Sequence, residues 1–494
     1  MDRRQFLTAA AATGTAGLIP GRAFAQIAGD PINGSFEAAL KERPWLVGLQ
    51  SAEGDREVGS LQVEGRWPAA LRGSFFRNGP AKHDRAGMRY HHWFDGDGMV
   101  HRYRIEDGTV SYRARFVRSP KFVAEEQAGR FLYDAGGTRI PGARGGSTAE
   151  LNVANTSVLP VGDSLWALWE GGSPTALDPV TLETRGPVDL SDALKRAPFS
   201  AHPRVGSDGR IWNIGMLGSK LALYRLNARG RVEGFKLIDV PEVGMMHDFF
   251  LTERSVVILL PSADMKGSGE SFFGMQRSRR DLPMQLIVAD RETLTVTRRA
   301  EVPSGYWFHG GNAWEERDGT IRFDVCLLPD ATIMNRFRAF MAGETRHAAS
   351  DYAGTTLFTI RPDGRVESRR VAGHAEFPAI DRRFGTLRNR YVYSAEKHQG
   401  HTPWYDSVRR VDLEGGSVER FTYAADHLVE EHLFVPRPGS TREGQGWLLG
   451  TTLHWPSRRT MLNLLDAERL ADGPVARAWL PMPAPLGFHG AWAA

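Results

Sequence analysis

Four of the 15 histidines stand at short apolar or aromatic stretches rather than in polar loops. His202 lies in Ser200-Ala201-His202-Pro203 and His247 in Met245-Met246-His247-Asp248-Phe249. His309 lies in Trp307-Phe308-His309-Gly310-Gly311 and His489 in Gly487-Phe488-His489-Gly490. Neutral imidazole is a common metal ligand, and four of them suit a borderline metal such as iron(II), zinc or copper. Their separations of 45, 62 and 180 residues match no local zinc motif. Only a fold that gathers distant segments can make one site of them, and each alone also fits a packed histidine. His91, His92 and His101 read as packing or hydrogen-bonding residues. The run from His92 to His101 contains Asp95-Gly96-Asp97-Gly98 but lacks the other acidic ligands of a calcium loop. The one cysteine, Cys326, sits in an apolar run, Phe323 to Leu328, and reads as a small core residue. With one cysteine no intrachain disulfide can form, so stability must come from the core.

The elements around these histidines repeat. An apolar strand, a short turn rich in Asp, Gly or Asn, and a second strand recur seven times: at Tyr103 to Val110, and from near Leu177, Tyr224, Ile287, Phe358, Val411 and Leu464. Turn tips such as Asp107-Gly108 and Gly415-Gly416 are hairpin chemistry. Short apolar strands lie between: Leu165 to Trp169, Ile211 to Ile214, Val256 to Leu260 and Trp447 to Thr451. Seven hairpins with intervening strands predict an all-β chain, a seven-bladed β-propeller. Loops and short helices would then cap an axial site where residues far apart in sequence meet. Two tandem β-sandwiches are the alternative, but no mid-chain linker is evident.

Gly73-Ser74-Phe75-Phe76-Arg77-Asn78-Gly79-Pro80, followed by His92-Trp93-Phe94-Asp95-Gly96-Asp97-Gly98-Met99-Val100-His101, resembles the N-terminal signature of carotenoid cleavage oxygenases. The four histidine contexts match, in order, that family's four iron-ligand motifs. Similar blocks run from about Trp45 to Trp492. The resemblance implies a seven-bladed propeller with Fe(II) on its axis, held by His202, His247, His309 and His489. It also implies that Glu170 backs His247, Glu376 backs His309 and Glu431 backs His489. A carboxylate that accepts the far N–H of an imidazole sets its tautomer and aim. Glu430 competes with Glu431 for that last role. Thr156, in Ala154-Asn155-Thr156, matches the position that crowds one open side of the iron.

The implied reaction adds dioxygen across one alkene bond and splits it into two carbonyl products. No reductant or organic cofactor is needed if both oxygen atoms enter the products. The protein aims one double bond and excludes water. Trp307, Phe308 and Phe488 adjoin the ligands and could stabilise positive charge on a substrate. Within the family, substrates are carotenoids, apocarotenoids or stilbene-type phenolics, and a carotenoid or apocarotenoid is the first expectation here. Lignostilbene-cleaving members read a phenol with a Tyr and a Lys, and Tyr90 and Lys121 stand in the matching region; an exposed lysine is the plainer reading of Lys121. From different classes, a non-catalytic propeller serving as a binding platform and a zinc hydrolase compete.

The chain has 494 residues, 41% of them hydrophobic and 24% charged, with 54 Gly and 28 Pro, which suits many turns and argues against a helical bundle. Residues 1–25 read as a twin-arginine signal peptide: Arg3-Arg4-Gln5-Phe6-Leu7, an apolar stretch from Thr8 to Ile19, and Ala23-Phe24-Ala25 as cleavage site. The expectation is export to the periplasm, leaving 26–494 as one propeller domain. Removing Asp2, Arg3, Arg4 and Arg22 lowers the formal charge from +4 to +2, and scattered basic pairs make no nucleic-acid surface. Phe272-Phe273 and the stretch from Ile333 to Met341 carry apolar residues among arginines; core packing is the plainer reading, and a peripheral membrane contact that gathers a lipophilic substrate is the other.

Overall fold

Each of the seven expected hairpins forms, and each supplies two adjacent strands of a different sheet. The computed structural model describes residues 31–195, 197–344, 353–400 and 404–494. The expected signal peptide lies outside the described residues. Five four-stranded and two five-stranded antiparallel sheets form the seven blades of a propeller. The strands nearest the axis are β1 (Ser157–Val161), β2 (Arg204–Val205), β3 (Phe250–Leu251), β4 (Tyr306–Glu315), β5 (Ala375–Ala379), β6 (His427–Pro436) and β7 (Gly490–Ala493). Neighbouring inner strands touch around the ring: β3 with β4, β4 with β5, β5 with β6, β6 with β7, and β7 with β1.

Both ends of the chain close this ring. Strand β7 pairs with Gly73–Lys82, placing Phe75 opposite Trp492 and Arg77 opposite Gly490. Arg56–Val58 adds an outer strand to that same blade, and Gln62–Gly65 an outer strand to the blade of β6. The long inner strands β4 and β6 are buried at nearly every residue, whereas Thr109–Phe116, next to the outer edge of its blade, alternates. This is the pattern of strands sandwiched between neighbouring sheets against strands that face water on one side. Apolar side chains from adjacent sheets fill the wedges between blades, as where Val256, Val257, Ile258 and Leu259 pack with Trp307 and Phe323.

Among the described residues four α-helices occur, α1 (Pro31–Glu42) ahead of the first strand and α2 (Pro120–Ala128), α3 (Phe272–Met275) and α4 (Ile333–Met341) between strands. Helix α2 starts where Ser119 accepts from the Phe122 N–H at 3.2 Å, with Pro120 as its first residue, and stops at left-handed Gly129. Helix α4 follows the core-packing reading at three positions: Met334, Phe340 and Met341 are buried. Phe340 stacks between Trp45 and Trp404, which is why these residues face inward. Phe272 stays exposed, with Phe273, Ile333 and Phe337 half-buried beside it. Cys326 is buried and free, as its apolar setting implied.

Candidate metal centre

Three inner strands carry a β-bulge where a site residue sits. The register shifts between Trp307 and Gly310 in β4, between Glu376 and Ala379 in β5, and between Val429 and His432 in β6. A bulge breaks the two-residue alternation and re-aims side chains. So Phe308 and His309, adjacent in sequence, both reach the axis, and Glu430 and Glu431 take different partners. Trp307 turns away into the wedge between blades: it stacks on Phe250 and its indole N–H donates to Leu259 O at 3.0 Å. This corrects the expectation that Trp307 could face a substrate.

Two ligands share a Phe-His-Gly context for a steric reason. A Cβ at Gly310 would collide with the Phe250 ring, and one at Gly490 with the Phe76 carbonyl oxygen. Only glycine lets the backbone pass so close after His309 and His489.

His202, His247, His309 and His489 converge, with one ring nitrogen of each within 4.8 Å of the others. Nε2 of His247 lies 2.8 Å from that of His202 and 3.0 Å from that of His309. With a first-row divalent metal about 2.1 Å from each nitrogen, a right angle separates two nitrogens by about 3.0 Å and a tetrahedral angle by about 3.4 Å. The spacing of the rings agrees. Five of the six centroid separations are 4.3, 4.6, 4.6, 4.8 and 5.0 Å, and only His247 to His489 is longer, at 6.4 Å. One distant pair and five close pairs place the four rings as four corners of an octahedron would. A tetrahedral set would make all six separations alike. The residues therefore fit a six-coordinate metal better than a closed structural zinc site.

Carboxylates hold three of the four rings. His309 Nδ1 lies 2.5 Å from Glu376 Oε2, which also accepts from the Phe377 N–H at 2.8 Å. His489 Nδ1 lies 2.8 Å from Glu431 Oε1, whose other oxygen accepts from the Gly490 N–H at 2.7 Å. Glu170 Oε1 approaches His247 Nδ1 to 2.6 Å, out of line with the ring N–H. Glu430 is committed elsewhere: to Arg77 at 2.8 Å, the Thr451 hydroxyl at 2.6 Å and the Gly487 N–H at 2.7 Å. Burial works against charge on Glu170 and Glu431, yet their imidazole partners hold both carboxyls below the usual range. Burial, then the neighbouring imidazoles, keeps His202 well below its ordinary value, and burial lowers His489 despite Glu431. Burial also opposes charge on His309, but Glu376 outweighs it and leaves that imidazole raised. Thr156 abuts the set through its backbone, its carbonyl accepting from the His489 N–H at 3.2 Å; its hydroxyl donates to Asn155 Oδ1 at 3.0 Å.

Aromatic rings wall the site. Phe308 lies 5.3 Å from His247, and Phe377 5.5 Å from His309 and 5.4 Å from His489. Phe94 sits among Phe308, Phe488, Phe337 and Phe273 at 4.7 to 6.0 Å, a packed aromatic cluster between the exposed Phe272 edge and the histidines. Phe94 and Phe377 were not among the expected site residues. Phe94 lies inside the signature block, and Phe377 comes directly after Glu376, with a left-handed φ of 57° that only the local fold reveals. Nor was Asp248, whose Oδ2 accepts from the Gly310 N–H at 3.0 Å and from Arg204 at 2.5 Å, tying the His247 and His309 segments together.

Tyr90 and Lys121 do meet. Lys121 is 1% exposed rather than a surface lysine. Its Nζ donates to the Tyr90 hydroxyl at 2.8 Å, Asp97 Oδ1 at 2.9 Å and Glu125 Oε2 at 2.8 Å. Arg85 joins the same network, 2.7 Å from Asp97. His92 is fully engaged, with Nε2 3.0 Å from Met334 O and Nδ1 accepting from the Phe94 N–H; His101 Nδ1 meets the Tyr112 hydroxyl at 2.7 Å.

Glu376→Gln is expected to weaken metal binding by about 10- to 100-fold, the usual cost of losing an orienting partner. Metal titration of the purified variant checks this, and an unchanged affinity would leave Glu376 with only a structural role.

Residues 50–494 match the family model described as retinal pigment epithelial membrane protein, RPE65. The chain is 31% identical to the apocarotenoid-15,15'-oxygenase of Synechocystis sp., over 94% of this chain and 99% of that one. It is 28% identical to lignostilbene-alpha,beta-dioxygenase isozyme III of Sphingomonas paucimobilis, over 89% and 94%. The solved structure of cobalt-substituted Synechocystis apocarotenoid oxygenase superposes with a TM-score of 0.79 at 29% identity, covering 91% of this chain and 98% of that one.

Proposed function

The chain belongs to the RPE65/carotenoid oxygenase family, and from that premise we propose that it is an iron(II)-dependent dioxygenase. It splits one carbon–carbon double bond of a carotenoid or apocarotenoid into two carbonyl products. The observation that carries the reading is the octahedral disposition of His202, His247, His309 and His489. When bound there, iron(II) supplies the activation of dioxygen toward the alkene.

The chain's own residues do the rest. Four neutral imidazoles bring no negative charge to the metal, and Glu170, Glu376 and Glu431 aim three of them. Phe308 and Phe377 exclude water beside the ligands and present ring faces to any positive charge that develops on the substrate. The rings of Phe94, Phe273 and Phe337 offer aromatic contacts to a lipophilic polyene. One alkene and one dioxygen give two carbonyls, both oxygen atoms entering product, so no outside reductant is consumed.

A stilbene-type substrate is the second reading, favoured by the contact between Tyr90 and Lys121 and by the lignostilbene-cleaving relative. It ranks second because the three N–H bonds of Lys121 already go to Tyr90, Asp97 and Glu125. The test is product analysis by mass spectrometry of the iron-loaded protein with an apocarotenal and with a 4-hydroxystilbene, in air and under strict anaerobiosis. Oxygen-dependent scission of the apocarotenal is expected, with KM raised in Phe337→Ser. Cleavage of the stilbene alone would reverse the substrate order. Turnover that persists without oxygen, or no cleavage of either, would overturn the dioxygenase reading.

A further inference from the structure

A second group of metal-ligating side chains lies at the opposite end of β6 from its proline. Asp426, His427 and His454 place one carboxylate and two imidazoles with their ligand atoms within 4.8 Å of one another. The sheet holds the two histidines together. His427 at the start of β6 is the direct cross-strand partner of His454, at the end of Gly446–His454, while their neighbours Leu428 and Leu453 pair into the core. Direct cross-strand partners keep their side chains about 5 Å apart on one face, and the two imidazole centroids are 4.8 Å apart.

The contacts are those of a ligand set. Asp426 Oδ1 lies 2.6 Å from His427 Nδ1, and Asp426 Oδ2 lies 3.2 Å from His454 Nε2. The first contact is out of hydrogen-bonding line, and both of its atoms are buried with no hydrogen-bond partner. Two buried polar atoms without a hydrogen bond are costly unless a further group beside them satisfies both. The far nitrogen of His454 is already oriented: Nδ1 lies 2.7 Å from the Ser457 hydroxyl, which leaves Nε2 for the cluster. Tyr423 and Trp479 flank the rings at 5.8 and 6.1 Å. The site opens to solvent, with Asp426 38% and His454 23% exposed.

We propose that Asp426, His427 and His454 bind one divalent transition-metal ion of the zinc class, separately from the four-histidine centre. Two neutral imidazoles and one carboxylate form a borderline donor set of net charge −1, which suits Zn(II), and such sites leave further positions to water. The site lies roughly 13 Å along β6 from Glu431, four residues at about 3.3 Å each. Its ion clasps β6 to the neighbouring strand just before the segment that aims His489, so it is a structural ion for the blade of β6 rather than a catalytic one.

The test uses the iron-loaded full chain, dialysed against zinc, with both metals measured by plasma mass spectrometry. One zinc per chain beyond the iron is expected, together with a rise in Tm. His454→Gln and Asp426→Asn should lose that zinc while keeping iron. Ser457→Ala should weaken zinc by about 10- to 100-fold, the cost of losing an orienting partner; a mere hydrogen-bonded Asp-His pair would show no such dependence. Zinc that appears only by displacing iron, or is retained equally by His454→Gln, would overturn the proposal. Neither outcome touches the dioxygenase reading, which is assayed on iron and oxygen alone.

Discussion

Alanine at His202 is expected to remove most of the iron and nearly all activity while the β-rich fold persists. Metal content per chain, with circular dichroism as the check on folding, measures it. The choice of histidine matters. Among the described residues no carboxylate is bonded to the His202 ring, so its removal leaves no orphaned partner. His309→Ala should lose iron equally but also strip Glu376 Oε2 of its ring partner. Oε2 keeps the Phe377 N–H but loses one of its two donors, and a hydrogen bond to a charged group contributes about 1.5–3 kcal/mol, so His309→Ala should be the less stable of the two by about that amount. Full iron occupancy in two or more of the four alanine variants would refute the ligand assignment.

A second large effect is expected far from any ligand. Lys121, Arg85, Asp97 and Glu125 form a buried network of two cations and two carboxylates, none more than 3% exposed. Burial opposes charge on Lys121, yet Asp97, Tyr90 and Glu125 hold its ammonium well above the usual range, and Lys121 and Arg85 keep Asp97 below its own. Lys121→Met takes out one partner and leaves a carboxylate uncompensated, which costs about 3–5 kcal/mol. Denaturant unfolding should show it, and pairing the change with Glu125→Leu should recover part of the loss because the charges then leave together. A Lys121→Met protein within about 1 kcal/mol of the parent would mean that water reaches this network. The loss of stability also bears on the substrate assay: a fall in stilbene turnover in Lys121→Met counts as recognition only per folded molecule.

Much of this was legible in the residues. Turn chemistry such as Asp107-Gly108, both left-handed, and Asp363-Gly364, left-handed at the glycine, marks the outer hairpins of the blades because it can be read locally. The four histidine contexts were legible because each sets its ligand in an aromatic or apolar approach to the axis, and two of them, at His309 and His489, add a glycine directly after the ligand. The hidden part depends on register. Nothing in Trp307-Phe308-His309 shows which side chains share a face, and the bulge before Gly310 decides it. The same holds for Glu430 and Glu431, where the bulge in β6 sends one to Arg77 and the other to His489. Lys121 looked like a surface residue because its three partners, Tyr90, Asp97 and Glu125, meet it in a way no local pattern announces.

The way the ring closes has a thermodynamic consequence. Three of the four histidines come from consecutive blades, but His489 is delivered by the strand that zips against Gly73–Lys82, more than 400 residues earlier in the chain. The last ligand and the seam are one event. An open ring can hold three imidazoles at most, so an ion that prefers four favours the shut circle by the difference in its affinities. By reciprocity, whatever loosens the seam weakens the ion's grip by the same factor. The metal is then also the buckle of the propeller, and its loss is felt along the Ser74–Arg77 edge as well as at the axis.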